Sequence, residues 1–114
     1  MASRRKERLA DQVRDIVSTI LLFELKDPRV GFVTVTGVDL SGDLRRVTVK
    51  VSVLGDQKEQ VVTMNVIRHA RGYVQKLLGE KLNVRFVPAV SFELDDSIKK
   101  SINLSKTLRE SQEN

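Results

Sequence analysis

The apolar residues Leu9, Val13, Ile16, Val17, Ile20, Leu21 and Leu25 recur at helical spacing and predict an amphipathic helix that runs to about Leu25 with one stripe toward a core. Asp27-Pro28 stops it, because proline disfavours a helical conformation in the residue before it and has no N–H for the ladder. The period then falls to two. Phe32, Thr34, Thr36, Val38 and Leu40 are predicted to share one face of a strand, and Ser41-Gly42-Asp43 makes the turn. Val47, Val49, Val51 and Val53 then alternate with Arg46, Thr48, Lys50 and Ser52. This is a β-hairpin with one buried and one wet face, closed by Gly55-Asp56.

Helical spacing returns near Gln57, with Val62, Val66, Ile67 and Ala70 predicted toward the core, and resumes after Gly72 with Val74, Leu77, Leu78 and Leu82. Arg85 to Leu94 reads as extended. Its paired part is predicted over Val90 to Leu94, since Pro88 cannot donate to a ladder. Asp95-Asp96-Ser97 offers capping side chains ahead of Ile98, Ile102, Ser105 and Leu108, so a short terminal helix is expected, followed by a polar, disordered tail over 109–114. The fold class is α+β: one domain over 1–108, ordered helix, strand, strand, helix, kink, helix, strand, with a three-stranded sheet covered by helices on one face.

Composition narrows what such a domain does. Lys and Arg outnumber Asp and Glu by 20 to 15, a formal charge of +5, which favours an anionic partner such as nucleic acid. With no cysteine, thiolate metal sites, disulfides and cysteine nucleophiles are excluded, and a cytoplasmic setting is expected. The first residues, MASRRKERLADQVRDI, carry charges where a signal peptide needs an apolar core, and no later stretch approaches the roughly 20 apolar residues of a membrane span.

The segment RHARGYVQKLLGEKL poses a question, because a glycine inside a helix costs about 1 kcal/mol against alanine. Gly72 is therefore expected to serve a bend or a close backbone approach. A bend at Ala70-Arg71-Gly72 would expose the N-terminus of the following helix, whose free N–H groups and dipole suit a phosphate, with Arg68, Arg71 and Lys76 adding charge. KH domains place a GXXG loop between two helices to clamp single-stranded RNA. The element order matches the type II KH arrangement, although Ala70-Arg71-Gly72 stands where the loop would be.

An Ala-x-Gly kink in that place, together with SRRKERLADQVRDIVSTIL, KDPRVGFVTVTGVDLSGDLRRVTVKVSV and HARGYVQKLLGEKLNVRFVPAVSFELDDSI, resembles the ribosome-binding factor A family over nearly the whole chain. The order and spacing of the pieces carry the resemblance; Ala-x-Gly alone carries none. It implies a non-catalytic bacterial assembly factor that binds the free, immature small (30S) ribosomal subunit and its 16S rRNA. The factor would assist late maturation of that RNA, especially in the cold. Its implied partners are the subunit, its rRNA and other late assembly factors including a GTPase; it would act as a monomer, without a cofactor, metal or membrane.

The candidate RNA-binding residues form three groups: Arg4, Arg5 and Arg8, with Lys6, at the start of the first helix; Arg45, Arg46 and Lys50 on the second strand; and Arg68, Arg71, Gly72, Lys76, Lys81 and Arg85 around and beyond the bend. Phe32, Phe86 and Phe92 fit buried strand positions, so recognition is expected to rest on phosphate and shape, with little base stacking. An enzyme finds no support in a lone His69, the absence of a nucleophile motif or phosphate loop, and an Asp95-Asp96 pair that a helix cap explains. A protein-protein adaptor with a solvated basic surface is the alternative.

Overall fold

The structure, a computed structural model, describes residues 2–25 and 27–96. The short helix predicted around Ile98 to Leu108 and the tail over 109–114 lie outside the described residues. Helix α1 spans Ala2–Thr19 and continues as one π-helical turn over Ile20–Glu24, where the Leu25 N–H donates to the Ile20 carbonyl at 3.2 Å. The predicted end near Leu25 holds, with the last turn widened and Leu22 and Phe23 turned to solvent.

Strands β1 (Val33–Leu40) and β2 (Arg46–Val53) pair antiparallel. Helices α2 (Gln57–His69) and α3 (Arg71–Lys81) then cross over, so that β3 (Ala89–Leu94) joins β2 in parallel. A parallel neighbour needs such a crossover, and two helices supply its length. The sheet order is β1-β2-β3. Among the described residues no helix is long and apolar enough to cross a membrane.

The core lies between the helices and one face of the sheet. Val13, Val17 and Ile20 of α1, Val47, Val49 and Val51 of β2, Ile67 of α2 and Val74 and Leu78 of α3 are essentially solvent-free. Each contributes about 1.5–3 kcal/mol by leaving water. The alternation predicted for the second strand is observed without change. In α2 the buried face is Thr63, Met64 and Ile67, while Val62, expected inward, is 40% exposed. The core stripe is thus rotated by one residue from the predicted one.

The first strand departs from a simple period of two. Val35 pairs with Val51 and Gly37 with Lys50, so Thr36 is an extra residue, a β-bulge. The bulge switches faces: Val33 and Val35 point inward before it, and Val38 and Leu40 after it. The face predicted as Phe32, Thr34, Thr36, Val38 and Leu40 is therefore corrected in its first half. Phe32, just ahead of the strand, is 80% exposed. The Thr36 hydroxyl donates to Asp95 Oδ2 at 2.6 Å, tying the bulge to the chain that leaves β3.

Two connections fix α2. Gly55 has φ +136°, and a Cβ there would meet Glu59 Oε2 at 2.7 Å, so the turn out of β2 requires glycine. Asp56 caps the helix by accepting the Glu59 N–H at 2.8 Å. The buried Thr63 hydroxyl holds the link after Asp27 against α2: it donates to the Arg29 carbonyl at 3.4 Å and accepts from the Gly31 N–H at 3.5 Å.

Candidate nucleic-acid interface

The break between α2 and α3 is at Ala70, with φ −84° and ψ 5°. Its N–H is shared between the Val66 carbonyl at 3.0 Å and the Ile67 carbonyl at 3.1 Å, which tightens the last turn of α2. Gly72, expected to make the bend itself, is the second residue of α3 and does not have the left-handed backbone that glycine favours. A Cβ there would meet nothing within 4 Å. Nothing inside the fold requires a glycine at 72, and the helix begins without a side-chain cap.

The basic residues of this end have different employments. Arg68 and Lys76 are exposed. Arg71 reaches back so that Nη1 donates to the Val90 carbonyl at 3.2 Å, while Gln75, one turn on, donates from Nε2 to the Pro88 carbonyl at 2.9 Å and accepts the Val90 N–H at 2.8 Å. Together the two side chains occupy the outward backbone groups of Pro88 and Val90 at the start of β3, where an unpaired edge would otherwise present them. Arg71 is therefore partly a structural residue. The depression beside the kink, about 690 Å³, is of mixed charge, with Glu24 and Asp27 against Arg29.

Asp27 and Arg29 form a fork: Nε donates to Oδ1 at 3.0 Å and Nη2 to Oδ2 at 2.8 Å. With the Arg29 backbone N–H also donating to Oδ1 at 2.9 Å, the carboxyl is held at about 2, below its usual 3.8. His69 is exposed and its Nδ1–H donates to the Asn65 carbonyl at 2.7 Å, a local helix contact.

A different set of arginines converges at the other end of α3. Arg5 and Arg8 of α1, Arg45 of the β1–β2 turn and Arg85 of the α3–β3 link line one cleft of about 1010 Å³. Each comes from a different stretch of chain apart from the first pair, which lie one turn apart on α1. None of the four forms an ion pair with a described residue. One acid, Asp43, shares the lining. Its carboxylate accepts from the Ser41 hydroxyl at 2.6 Å and the Arg45 N–H at 3.1 Å, and these bonds, with the Arg45 and Arg46 charges, hold it below the ordinary carboxylate range.

The turn that presents Arg45 is anchored on both sides. Leu44 has φ 61°, uncommon for a residue with a Cβ, and its side chain packs on the core, which offsets that cost. The Arg45 carbonyl accepts the Ala89 N–H at 2.9 Å, which ties the turn to the start of β3. On the other wall Val87 and Pro88 face inward, leaving Arg85 and Phe86 outside. The Arg85 guanidinium lies 5.5 Å from the centre of the Phe86 ring, a cation–π contact.

The remaining candidates are spread around the domain. Arg4 is exposed on the first part of α1, and Lys81 ends α3. Arg46 and Lys50 lie on the open face of the sheet, opposite the helices. Lys50 is bound to Asp39 at 3.1 Å, and this contact, with Glu93 and Asp95 nearby, raises its pKa. That face is a balanced one. The aromatic expectation needs correction as well: Phe92 is buried at 7% exposure, but Phe32 and Phe86 are 80% and 74% exposed. Phe86 was missed because Pro88 delays the strand to Ala89, and an aromatic beside an arginine ahead of that proline was the available signal.

A sequence-family model described as Ribosome-binding factor A matches residues 5–108. The chain belongs to the ribosome-binding factor A family. It is 43% identical over 110 residues to ribosome-binding factor A of Natranaerobius thermophilus, spanning 96% of this chain and 84% of that one. The crystal structure of ribosome-binding factor A from Thermus thermophilus superposes with a TM-score of 0.69 at 22% identity, covering 78% of this chain and 93% of that chain. A homology model of the Thermus thermophilus factor, fitted into a cryo-EM map of its complex with 30S, gives a TM-score of 0.64 at 21% identity, over 76% of this chain and 91% of that one. At those identities the likeness is of fold, and it is the α+β, KH-like arrangement predicted from the element order.

Proposed function

We propose that this chain is a non-catalytic assembly factor that binds the free, immature small ribosomal subunit through its rRNA and assists late maturation of that RNA, with the strongest demand in the cold. The observation that carries the reading is the convergence of Arg5, Arg8, Arg45 and Arg85 on one cleft without ion pairs to described residues. Desolvating four guanidinium groups accompanied by one carboxylate against anything but an anion is costly, whereas phosphates supply bidentate acceptors and release counterions. Family membership, and the 30S complex of the Thermus thermophilus factor, support the small subunit as the partner that would supply the RNA. Other late assembly factors, a GTPase among them, meet the monomeric, cytoplasmic factor on the subunit in this reading.

The test is sedimentation with small subunits purified from cells lacking the protein. The wild-type chain should pellet with immature subunits in preference to translating ribosomes. Replacing Arg5, Arg8, Arg45 and Arg85 by Gln should weaken that binding and flatten its log-log salt dependence by about 1 for each phosphate that is no longer neutralised. Cells without the protein should accumulate untrimmed small-subunit RNA, more so at low temperature. A wild-type chain that ignores small subunits, with normal RNA ends in the cold, sinks the reading in favour of an adaptor.

A further inference from the structure

The arginine cleft has a feature that phosphate binding leaves unexplained. Phe86 lines it with 74% of its surface exposed among the described residues. A solvent-facing phenylalanine forgoes about 25 cal/mol for each Å² left in water, so a ring in this place is best accounted for by something that stacks on it. The Arg85 guanidinium lies over the ring at 5.5 Å, and most of the side chain's surface is in solvent. Phe23 and Phe32 are as exposed, but neither lines this cleft.

We propose that the cleft takes an unpaired nucleotide of single-stranded RNA, with its base stacked on Phe86 and its flanking phosphates held by Arg5, Arg8 and Arg45. The proposal rests on the RNA-binding reading above and narrows it to a ligand class. At about 1010 Å³ the cleft is at the top of the ~300–1,000 Å³ range of small-ligand sites, and a base must leave its stack to enter it. The amides of Gln12 and Asn83 on the cleft wall carry both donors and acceptors, which suit the mixed edge of a base. An acidic peptide could pair with the arginines but brings no flat ring to lie on Phe86. The hydrogen-bonded Leu44-Arg45 turn fixes the backbone from which Arg45 reaches the phosphate side.

The test uses the full chain with a short single-stranded RNA of mixed sequence, the same sequence as a duplex, and an oligoglutamate peptide. Phe86→Leu keeps apolar bulk and removes the π-face; it should weaken single-strand binding by roughly tenfold, leave the duplex affinity and the salt slope unchanged, and be rescued by Phe86→Trp. Arg5→Gln and Arg8→Gln together should instead weaken both RNAs and lower the salt slope by about 2. Phe86 is outside the core, so circular dichroism of the variants should match wild type. Equal single-strand binding by Phe86→Leu overturns the stacking site, as does oligoglutamate displacing the RNA at equal charge concentration. Immature subunits in parallel separate the two levels: a wild-type chain and Phe86→Leu that pellet alike remove the stacking site and leave subunit binding standing, whereas a wild-type chain that does not pellet removes both.

Discussion

The two ends of α3 each gather basic side chains, and they put them to different uses. At the N-terminal end Arg71 is drawn into the fold by the Val90 carbonyl, and the neighbouring depression sets Glu24 and Asp27 against Arg29. At the C-terminal end Arg5, Arg8, Arg45 and Arg85 face one cleft with a single acid, Asp43, whose charge is already engaged by its own turn. A hydrogen bond to a charged group is worth about 1.5–3 kcal/mol, enough to keep a guanidinium at home. Density of Arg and Lys along the chain therefore measures potential charge, and the carbonyls and carboxylates within reach decide how much is left for a partner.

The largest effect that tests this contrast comes from the edge of β3. Gln75→Ala strips the Pro88 carbonyl and the Val90 N–H of their partners and should lower stability by about 1–3 kcal/mol, read by urea unfolding, with faster hydrogen exchange at Val90. Its counterpart at the cleft, Arg85→Gln, should leave stability within about 0.5 kcal/mol of wild type. If both variants unfold alike, the kink end is not the more structural of the two.

A smaller and opposite effect is expected at Gly72. Because the position is helical and a Cβ there meets nothing within 4 Å, Gly72→Ala should raise stability, by at most about 1 kcal/mol. If the kink end also approaches rRNA closely, the same variant binds immature subunits more weakly although it is better folded. Thermal unfolding and subunit affinity on one preparation decide the matter. Unchanged affinity would assign RNA contact to the cleft end alone.

The smallest effect concerns Asp27, whose carboxyl is depressed from 3.8 to about 2 by Arg29. A depressed carboxylate adds stability at pH values above its unfolded pKa and loses it as pH falls toward the folded one. Asp27→Asn should therefore be slightly less stable than wild type near neutral pH, and the difference should close as pH drops from about 4 to about 2. Arg29 is exposed and Asp27 partly so, and added salt should therefore also shrink the difference. A gap that widens in acid would show that the fork does not stabilise the folded state.

Periodicity by itself determined the helix of Leu9 to Leu25, the alternating strand Val47 to Val53, the helix from Gln57, the third strand and their order, because each rests on a local repeat matched to the geometry of one element. The ordered pieces were enough for the family resemblance. The faces of β1 were not legible, since the Thr36 bulge exists only relative to Val51 and Lys50 on the partner strand. The kink expected over Ala70-Arg71-Gly72 was attributed to glycine's low helix propensity, whereas it is Ala70 that carries it, through the carbonyls of Val66 and Ile67 in the preceding helix. The three basic groups were visible as residues but not as a surface. Arg5, Arg45 and Arg85, each some forty residues from the next, meet because sheet pairing and helix packing bring them together, and Lys50 is diverted to Asp39 across the pairing of β1 with β2; no local pattern encodes either contact.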